Sequence, residues 1–148
     1  MALLGVEELQ AILTTAFPDV DVPHVEEVAD DSVLVSYVVT DRHGRPGGTL
    51  SGPVMMSLAD TSAWVAIMSQ IGPVVLAVTT SLHIDFLRKP QLTDLMARTR
   101  MLKLGKRLAV VDVDLFSRGE SELVAKAQVT YSIPPSPRSY SAAISLAL

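Results

Sequence analysis

The sequence predicts one α+β domain in which a curved antiparallel sheet covers a long buried helix. Residues 53–68 have the pattern of a helix that is apolar on nearly every side, and such a helix must be covered all round. After it, four segments alternate apolar and polar residues with a period of two, which is typical of antiparallel strands with one polar face. Because one substantial sheet is available, we expect that sheet to curve around the helix.

Length and composition indicate a small domain with more apolar surface than it can bury alone. The chain has 148 residues, of which 49% are hydrophobic and 19% charged, with a mean hydropathy of +0.36. This length predicts one domain, and this composition excludes a disordered chain. The usual remedy for excess apolar surface is burial against another copy, so we expect a homo-oligomer.

Charge and residue usage exclude several function classes. A net charge of −4 and a pI near 5.2 argue against a broad surface for nucleic acid. The sequence has no cysteine, which excludes disulfides, thiolate metal sites and a cysteine nucleophile. The first residues lack the basic region of a signal peptide, and no uncharged apolar run reaches the roughly 18 residues of a membrane span. We expect a cytoplasmic protein.

The elements before the long helix are a short helix, a strand and a loop. Residues 32–40 are rich in β-branched side chains and predict a strand. Residues 41–48 combine glycine, proline and charge without periodicity, which predicts a loop. At the start of the chain, apolar residues recur near helical spacing until a proline ends the run. The residues of that helix are Val6, Leu9, Ile12, Leu13 and Ala16, followed by Pro18.

Four strands are predicted after the helix, over residues 75–87, 94–104, 107–117 and 122–133, as a meander. The first alternates Val78, Thr80, Leu82, Ile84 and Phe86 on one face with Thr79, Ser81, His83 and Asp85 on the other. The third places Ala109, Val111, Val113 and Leu115 inward, and the fourth places Leu123, Ala125, Ala127, Val129, Tyr131 and Ile133 inward. The domain thus spans residues 1–133, and residues 134–148 form a proline-rich C-terminal extension.

Asp60 lies in the middle of the apolar helix. An ionised carboxylate in apolar surroundings is costly unless it is hydrogen-bonded or neutralised. Ser57, Asp60 and Thr61 share one helix face, so the carboxylate belongs to a narrow polar stripe that would line a cleft at a subunit interface. The alternative is a structural aspartate that hydrogen-bonds a neighbouring strand or subunit.

The start of the same helix offers hydrogen-bond donors. Proline is favoured at the first helical position, so Pro53 makes Gly52 the expected N-cap. The first helical turn carries unpaired N–H groups and a partial positive charge. Such donors suit an oxygen on which negative charge develops, although the same residues also serve simply to cap the helix.

Three motifs together resemble a known family. They are "SGPVMMSLAD" (residues 51–60), "TTSLHIDFLRKP" (residues 79–90) and "LGKRLAVVDVDLF" (residues 104–116). They resemble the hotdog-fold acyl-CoA thioesterases of the 4-hydroxybenzoyl-CoA and phenylacetate-pathway type, over residues 30–133. The resemblance implies a hotdog fold, in which a curved antiparallel sheet wraps around a long central helix.

The resemblance also implies roles for three residues. Asp60 would be the base or nucleophile that directs attack on a thioester carbonyl. The Gly52 N–H would polarise that carbonyl, and Thr79, from the neighbouring subunit, would hold the attacking water. The implied reaction converts a medium-chain or aryl acyl-CoA to free acid and coenzyme A, without metal or cofactor. The implied assembly is a homo-oligomer, either a homodimer or a homotetramer built as a dimer of dimers.

Departures from the family pattern leave a second function open. The family's histidine is Ser51 here and its second glycine is Pro53, so a non-catalytic acyl-CoA-binding or regulatory module is the alternative. A hotdog hydratase is disfavoured, because Asp41 and His43 have the wrong spacing. His83 and Asp85 are too few ligands for a zinc site. The expected substrate-binding residues are the polar Ser51, the cleft-lining Met55, Met56 and Phe86, and the basic Arg88, Lys106 and Arg107. We expect at least one of these three basic residues to contact the phosphates of coenzyme A, and the alternative for each is an ordinary surface charge near a turn.

Overall fold

The computed structural model describes residues 1–135, so the predicted C-terminal extension lies, beyond Pro135, outside the described residues. Two α-helices are present in this part of the chain, α1 (Val6–Ala16) and α2 (Gly52–Ile71), and one turn of 3₁₀-helix spans Asp41–His43. The strands are β1 (His24–Val28), β2 (Val33–Tyr37), β3 (Gly44–Arg45), β4 (Thr49–Leu50), β5 (Val78–Phe86), β6 (Leu95–Leu104), β7 (Leu108–Ser117) and β8 (Leu123–Ser132). In the described part of the chain, no helix combines the length and the apolar content that crossing a membrane requires.

Six of the strands form one antiparallel sheet in the order β1-β2-β6-β7-β8-β5. Helix α2 packs against β6, β7, β2 and β8, and the buried side chains between helix and sheet form one apolar core. Strands β3 and β4 form a separate small hairpin in the loop before α2. The predicted α+β class and hotdog arrangement are confirmed.

Helix α2 is buried because it is apolar on all sides. Eleven of its twenty residues are buried. The helix starts one residue earlier than predicted, since Ser51 rather than Gly52 is the N-cap. Ser51 is extended, and its N–H donates to the carbonyl of His43 at 3.0 Å, so the preceding loop fixes the start of the helix. Gly72 ends the helix with φ at 97°, a conformation that glycine adopts without strain.

One polar group inside this core has no hydrogen bond. Ser62 is fully buried on α2, and its hydroxyl has no partner among the described residues. We expect Ser62→Ala to raise the free energy of unfolding by about 1 kcal/mol, because the change removes an unsatisfied polar atom and introduces the best helix former. The midpoint of urea unfolding measures this gain. Ser69→Ala is the matched control, since the Ser69 hydroxyl donates to the Ala66 carbonyl at 2.7 Å and its loss should bring no gain.

Two features of the sheet differ from the predictions. Strand β1 was not predicted, because adjacent glutamates interrupt its alternation and a bulge lies between Val25 and Glu27. In the structure Glu26 accepts a hydrogen bond from Ser36 at 2.6 Å and from Arg118 at 2.9 Å, and these two contacts lower the pKa of Glu26. Strand β5 does not belong to a four-strand meander, since it pairs with β8 at the sheet edge.

The remaining strands follow the predicted alternation closely. On β7 the four predicted inward residues are all fully buried. Asp112 and Asp114 point to the other face of the sheet, where both accept hydrogen bonds from Lys126. A charged outer face and an apolar inner face therefore fix the register of β7, because a slip by one residue would exchange them.

Candidate active site

Two hydroxyl groups hold the Asp60 carboxylate by a single oxygen. The Thr79 hydroxyl donates to Oδ1 at 2.6 Å, and the Tyr131 hydroxyl lies 2.8 Å from the same oxygen. The Tyr131 hydroxyl also lies 3.0 Å from the main-chain carbonyl of Asp60. Within residues 1–135 no group donates to Oδ2, and this oxygen is not sealed from solvent. The carboxylate is thus fixed on one side and free on the other.

A β-bulge brings Thr79 to this position. The alternation predicted for β5 places Thr79 on the same face as His83 and Asp85, which is the face away from the helix. The structure contradicts that placement of Thr79. Thr79 pairs with Tyr131 and Ser81 pairs with Thr130, so Thr80 is an extra residue that shifts the alternation. Bulges of this kind re-aim a side chain, and here the hydroxyl of Thr79 turns towards Asp60 on α2. His83 and Asp85 remain exposed and contact each other at 3.1 Å.

The contact between Thr79 and Asp60 forms within one chain. The family resemblance implied that this hydroxyl would come from the neighbouring subunit, and in that respect the expectation was wrong. The residues are brought together because β5 follows α2 closely in sequence and runs along its side at the edge of the sheet.

Tyr131 was not among the predicted site residues. The alternation of β8 predicts only that Tyr131 faces inward, which is correct, since the side chain is 4% exposed. One feature of the sequence could have identified it. A tyrosine that faces inward usually has a hydrogen-bond partner for its hydroxyl, and this predicts a polar group nearby. Burial raises the pKa of the Tyr131 phenol, and the charge of Asp60 raises it further. The phenol therefore stays protonated around neutral pH and keeps a hydrogen to donate.

Two cavities adjoin at Phe17 and Thr61, and one of them is lined by the carboxylate of Asp60. A cavity of about 260 Å³ contains Asp60, Thr79 and Tyr131, and a neighbouring cavity of about 340 Å³ extends towards the end of α1. Phe17 and Thr61 line both cavities, and the Phe17 ring packs edge-on against Trp64 with centroids 5.8 Å apart. The walls of the larger cavity are mostly apolar and include Val20, Val22, Pro23, Tyr37, Val54 and Leu58.

A third cavity, of about 560 Å³, lies at the start of α2. It brings together four of the predicted site residues, Gly52, Met55, Phe86 and Arg88. The Phe86 ring lies so close to Gly52 that a Cβ on that glycine would stand 3.4 Å from it. Arg45 and Lys89 line the same cavity, and Arg88 also forms an ion pair with Glu122 at 3.1 Å.

The other predicted site residues lie apart from these cavities within the chain. Ser51 and Met56 line none of the three. Lys106 and Arg107 lie in the β6–β7 turn, at the end of the sheet where Val78 pairs, whereas Arg88 follows Phe86 at the opposite end of β5. The nine residues of β5 separate these ends by roughly 26 Å. Arg88 therefore lies far from Lys106 and Arg107 within one chain, and the expectation that at least one of them contacts the substrate stays a prediction.

Gly52 and Asp60 are also separated in the single chain. They are eight residues apart on α2, which corresponds to about 12 Å along a helix axis. One thioester carbonyl cannot contact both groups across that distance. A site that uses both would have to combine α2 helices from two copies of the chain.

Comparisons with known proteins place the chain in a family. The thioesterase superfamily matches residues 47–130, a range that contains Gly52, Asp60 and Thr79. A protein from Silicibacter sp. TM1040, provisionally named a thioesterase, has a crystal structure that is 39% identical, with 91% of this chain and 95% of that chain covered and a TM-score of 0.82.

Two further proteins agree with this family. A Ralstonia eutropha protein, provisionally named a thioesterase and described as related to phenylacetic acid degradation, is 25% identical, covers 75% of this chain and 84% of its own, and has a TM-score of 0.69. A provisionally named esterase of Pseudomonas aeruginosa is 33% identical over 72% of this chain and 78% of its own. The chain belongs to the thioesterase superfamily and is a thioester hydrolase.

Proposed function

We propose that the protein hydrolyses medium-chain or aryl acyl-CoA thioesters to the free acid and coenzyme A. The observation that carries this proposal is the carboxylate of Asp60, which is held through Oδ1, accepts no hydrogen bond at Oδ2 from the described residues, and lines a largely apolar cavity. A free carboxylate oxygen beside an apolar cavity suits a reaction in which a charged base acts on an acyl group.

The chemistry follows from that oxygen. As a base, Oδ2 takes a proton from water while the water oxygen bonds to the thioester carbon, and the carbon–sulfur bond then breaks to release the thiolate, which takes up the proton. As a nucleophile, Oδ2 itself bonds to that carbon, and the carbon–sulfur bond breaks to release the thiolate and leave an anhydride. Water then cleaves the anhydride to the free acid and the Asp60 carboxylate, and the remaining proton goes to the thiolate. Thr79 donates its hydrogen to Oδ1, so its oxygen lone pairs are free to accept a hydrogen bond from the water. Neither route uses a metal or cofactor.

The size of the apolar cavity supports the substrate class. An engineered cavity of about 150 Å³ lined by apolar side chains binds benzene, and the cavity beside Phe17 holds about 340 Å³. That volume suits a ring with a short linker or a medium-length acyl chain. The lining residues Val54 and Leu58 come from α2, on the same side of the helix as the carboxylate stripe.

The basic residues at the start of α2 support coenzyme A as the thiol. Arg45, Arg88 and Lys89 line the 560 Å³ cavity that contains Gly52. Arginine and lysine are the usual partners of phosphate groups, and coenzyme A carries phosphates at the end remote from its sulfur. The Gly52 N–H, in the first turn of α2, is available to polarise the carbonyl.

We also propose that two copies pair through β5. This strand lies at the edge of the sheet, is largely exposed over nine residues, and carries the half-exposed apolar side chains of Val78 and Phe86. An open edge of this kind pairs readily with another strand. A twofold antiparallel pairing would put the Thr79 end of one β5 beside the Phe86 end of the other. The Asp60 of one copy would then approach the Gly52 of its partner. The β6–β7 turn of the first copy, which carries Lys106 and Arg107, would approach the same end of the partner.

A dimer of dimers and a cytoplasmic location stay predictions of the sequence analysis. The proposed site does not require the family's histidine and second glycine, which are Ser51 and Pro53 in this chain. Both changes leave the Gly52 N–H and the Asp60 carboxylate in place, so the proposed chemistry does not depend on them.

Release of free thiol from a panel of acyl-CoA esters tests the proposed function. The panel runs from acetyl-CoA to palmitoyl-CoA and includes benzoyl-CoA and phenylacetyl-CoA. We expect the highest kcat/KM for medium-chain or aryl esters. Tight binding of these esters without thiol release would instead support the binding-module alternative.

Changes at Val54 should alter the acyl preference in opposite directions. We expect Val54→Trp, which fills the 340 Å³ cavity, to lower kcat/KM for the preferred ester by about 10- to 200-fold, the range set by one misfit group in an apolar pocket. Acetyl-CoA, which does not need the cavity, serves as the control and should be affected little. Val54→Ala should move the optimum to longer chains. An unchanged acyl profile in both variants would show that the acyl group lies elsewhere.

A further inference from the structure

We propose that Tyr131 is a positioning residue, which acts with Thr79 to hold Asp60 so that only Oδ2 faces the substrate. The inference rests on the proposed function of Asp60. It assigns to a side chain on β8 a role that is exerted through the Asp60 carboxylate, although the pattern of that side chain in the sequence is that of an ordinary core residue.

The sheet places the two hydroxyls as a pair. Thr79 and Tyr131 are direct cross-strand partners on β5 and β8, and such partners have Cβ atoms about 4.5–5.5 Å apart. Tyr131 faces α2 in the regular alternation of β8, and the bulge at Thr80 turns Thr79 to the same face. Both hydroxyls then reach the same carboxylate oxygen, at 2.6 Å and 2.8 Å.

Two donors on one oxygen restrict the carboxylate more than one donor would. Rotation of the Asp60 carboxylate exchanges Oδ1 and Oδ2, and each exchange would break both hydrogen bonds. A single bond from Thr79 would leave the group free to pivot about that contact. The second contact, from a rigid aromatic side chain that is 4% exposed, removes this freedom. Groups held in the reactive geometry before the substrate binds contribute to rate rather than to affinity.

A purely structural role would predict different behaviour. The Tyr131 hydroxyl lies 3.0 Å from the main-chain carbonyl of Asp60 as well as 2.8 Å from Oδ1. If the carbonyl were the partner that matters, loss of the hydroxyl would lower stability and leave the rate per folded molecule unchanged. If the carboxylate is the partner that matters, the rate falls and the affinity for substrate does not.

The test is Tyr131→Phe, which removes the hydroxyl and keeps the ring. We expect kcat for the preferred acyl-CoA to fall by about 10- to 100-fold, as for a reacting group displaced by around an ångström, while KM changes by less than about threefold. Thr130→Val is the matched control, since it removes a hydroxyl one residue away whose side chain faces the other side of the sheet. We expect wild-type kcat for this control.

A second arm links the effect to the carboxylate. When Asp60→Asn has already removed the reacting oxygen, adding Tyr131→Phe should not lower the residual rate further. An unchanged kcat in Tyr131→Phe, or an equal loss in both backgrounds, would overturn the inference. Both comparisons of kcat require a wild-type protein that releases thiol. An inactive wild type would refute the proposed function itself, so the two failures are distinguishable.

Discussion

Asp60→Asn should lower kcat for acyl-CoA hydrolysis by about 100- to 10,000-fold, the range for loss of a general base, with little change in substrate affinity. The amide can neither take a proton from water nor attack a thioester. Its carbonyl oxygen still accepts hydrogen bonds from Thr79 and Tyr131, so the fold of the site is kept. Thiol release measures the rate, and calorimetry with the unreacted acyl-CoA measures the affinity.

Asp85→Asn is the control for this change. Asp85 is an exposed aspartate on β5 whose side chain pairs with His83 at 3.1 Å, on the face of the sheet away from α2. We expect its kcat and its stability to equal those of the wild type. A rate for Asp60→Asn within about threefold of wild type would remove Asp60 from the reaction and leave it as a structural residue.

The second large effect is the recovery of activity when two inactive chains are combined. Gly52→Val should block the donor at the start of α2, because the Phe86 ring already lies at van der Waals distance from the position of a Cβ. Asp60→Asn blocks the base. If each site takes Gly52 from one copy and Asp60 from the other, a mixed dimer has one intact site. Random mixing of equal amounts should then restore about a quarter of the wild-type activity.

The mixing experiment has a clear negative outcome. If each site lies within one chain, neither variant supplies an intact site, and the mixture stays as inactive as its components. Mixing two separate preparations of Asp60→Asn controls for activity gained through the unfolding and refolding used to exchange subunits. The 12 Å that separate the two groups on one helix lead us to expect recovery.

Much of the fold follows from periodicity in the sequence. The all-round apolar pattern of α2 predicts its burial, and the alternation on β7 predicts its four buried residues correctly. Asp60 stands out for the same reason, since a carboxylate within such a helix needs a physical explanation. Such local patterns are predictable from the sequence because the periodicity of apolar residues shows which side of a helix or strand is buried, whatever the order of the strands in the sheet.

The arrangement around Asp60 required the structure. A bulge depends on how two strands pair, so the shift at Thr80 leaves no trace in the alternation of β5 alone. Tyr131 follows the inward pattern of β8 like its apolar neighbours, and only its distance to Asp60 distinguishes it. The positions of Lys106 and Arg107 also depend on strand pairing. Like Arg88 they are basic and lie in a family motif, but they are at the other end of the sheet.

A structure with an unreactive substrate analogue tests the central claim most directly. A suitable ligand is an acyl-CoA ketone, in which a methylene group between the carbonyl and the sulfur prevents hydrolysis. We expect the ketone oxygen within hydrogen-bond distance of the Gly52 N–H of one copy, and the ketone carbon next to Oδ2 of the other copy's Asp60. A ligand bound away from Oδ2, or an Oδ2 occupied by a main-chain amide, would contradict the role assigned to Asp60.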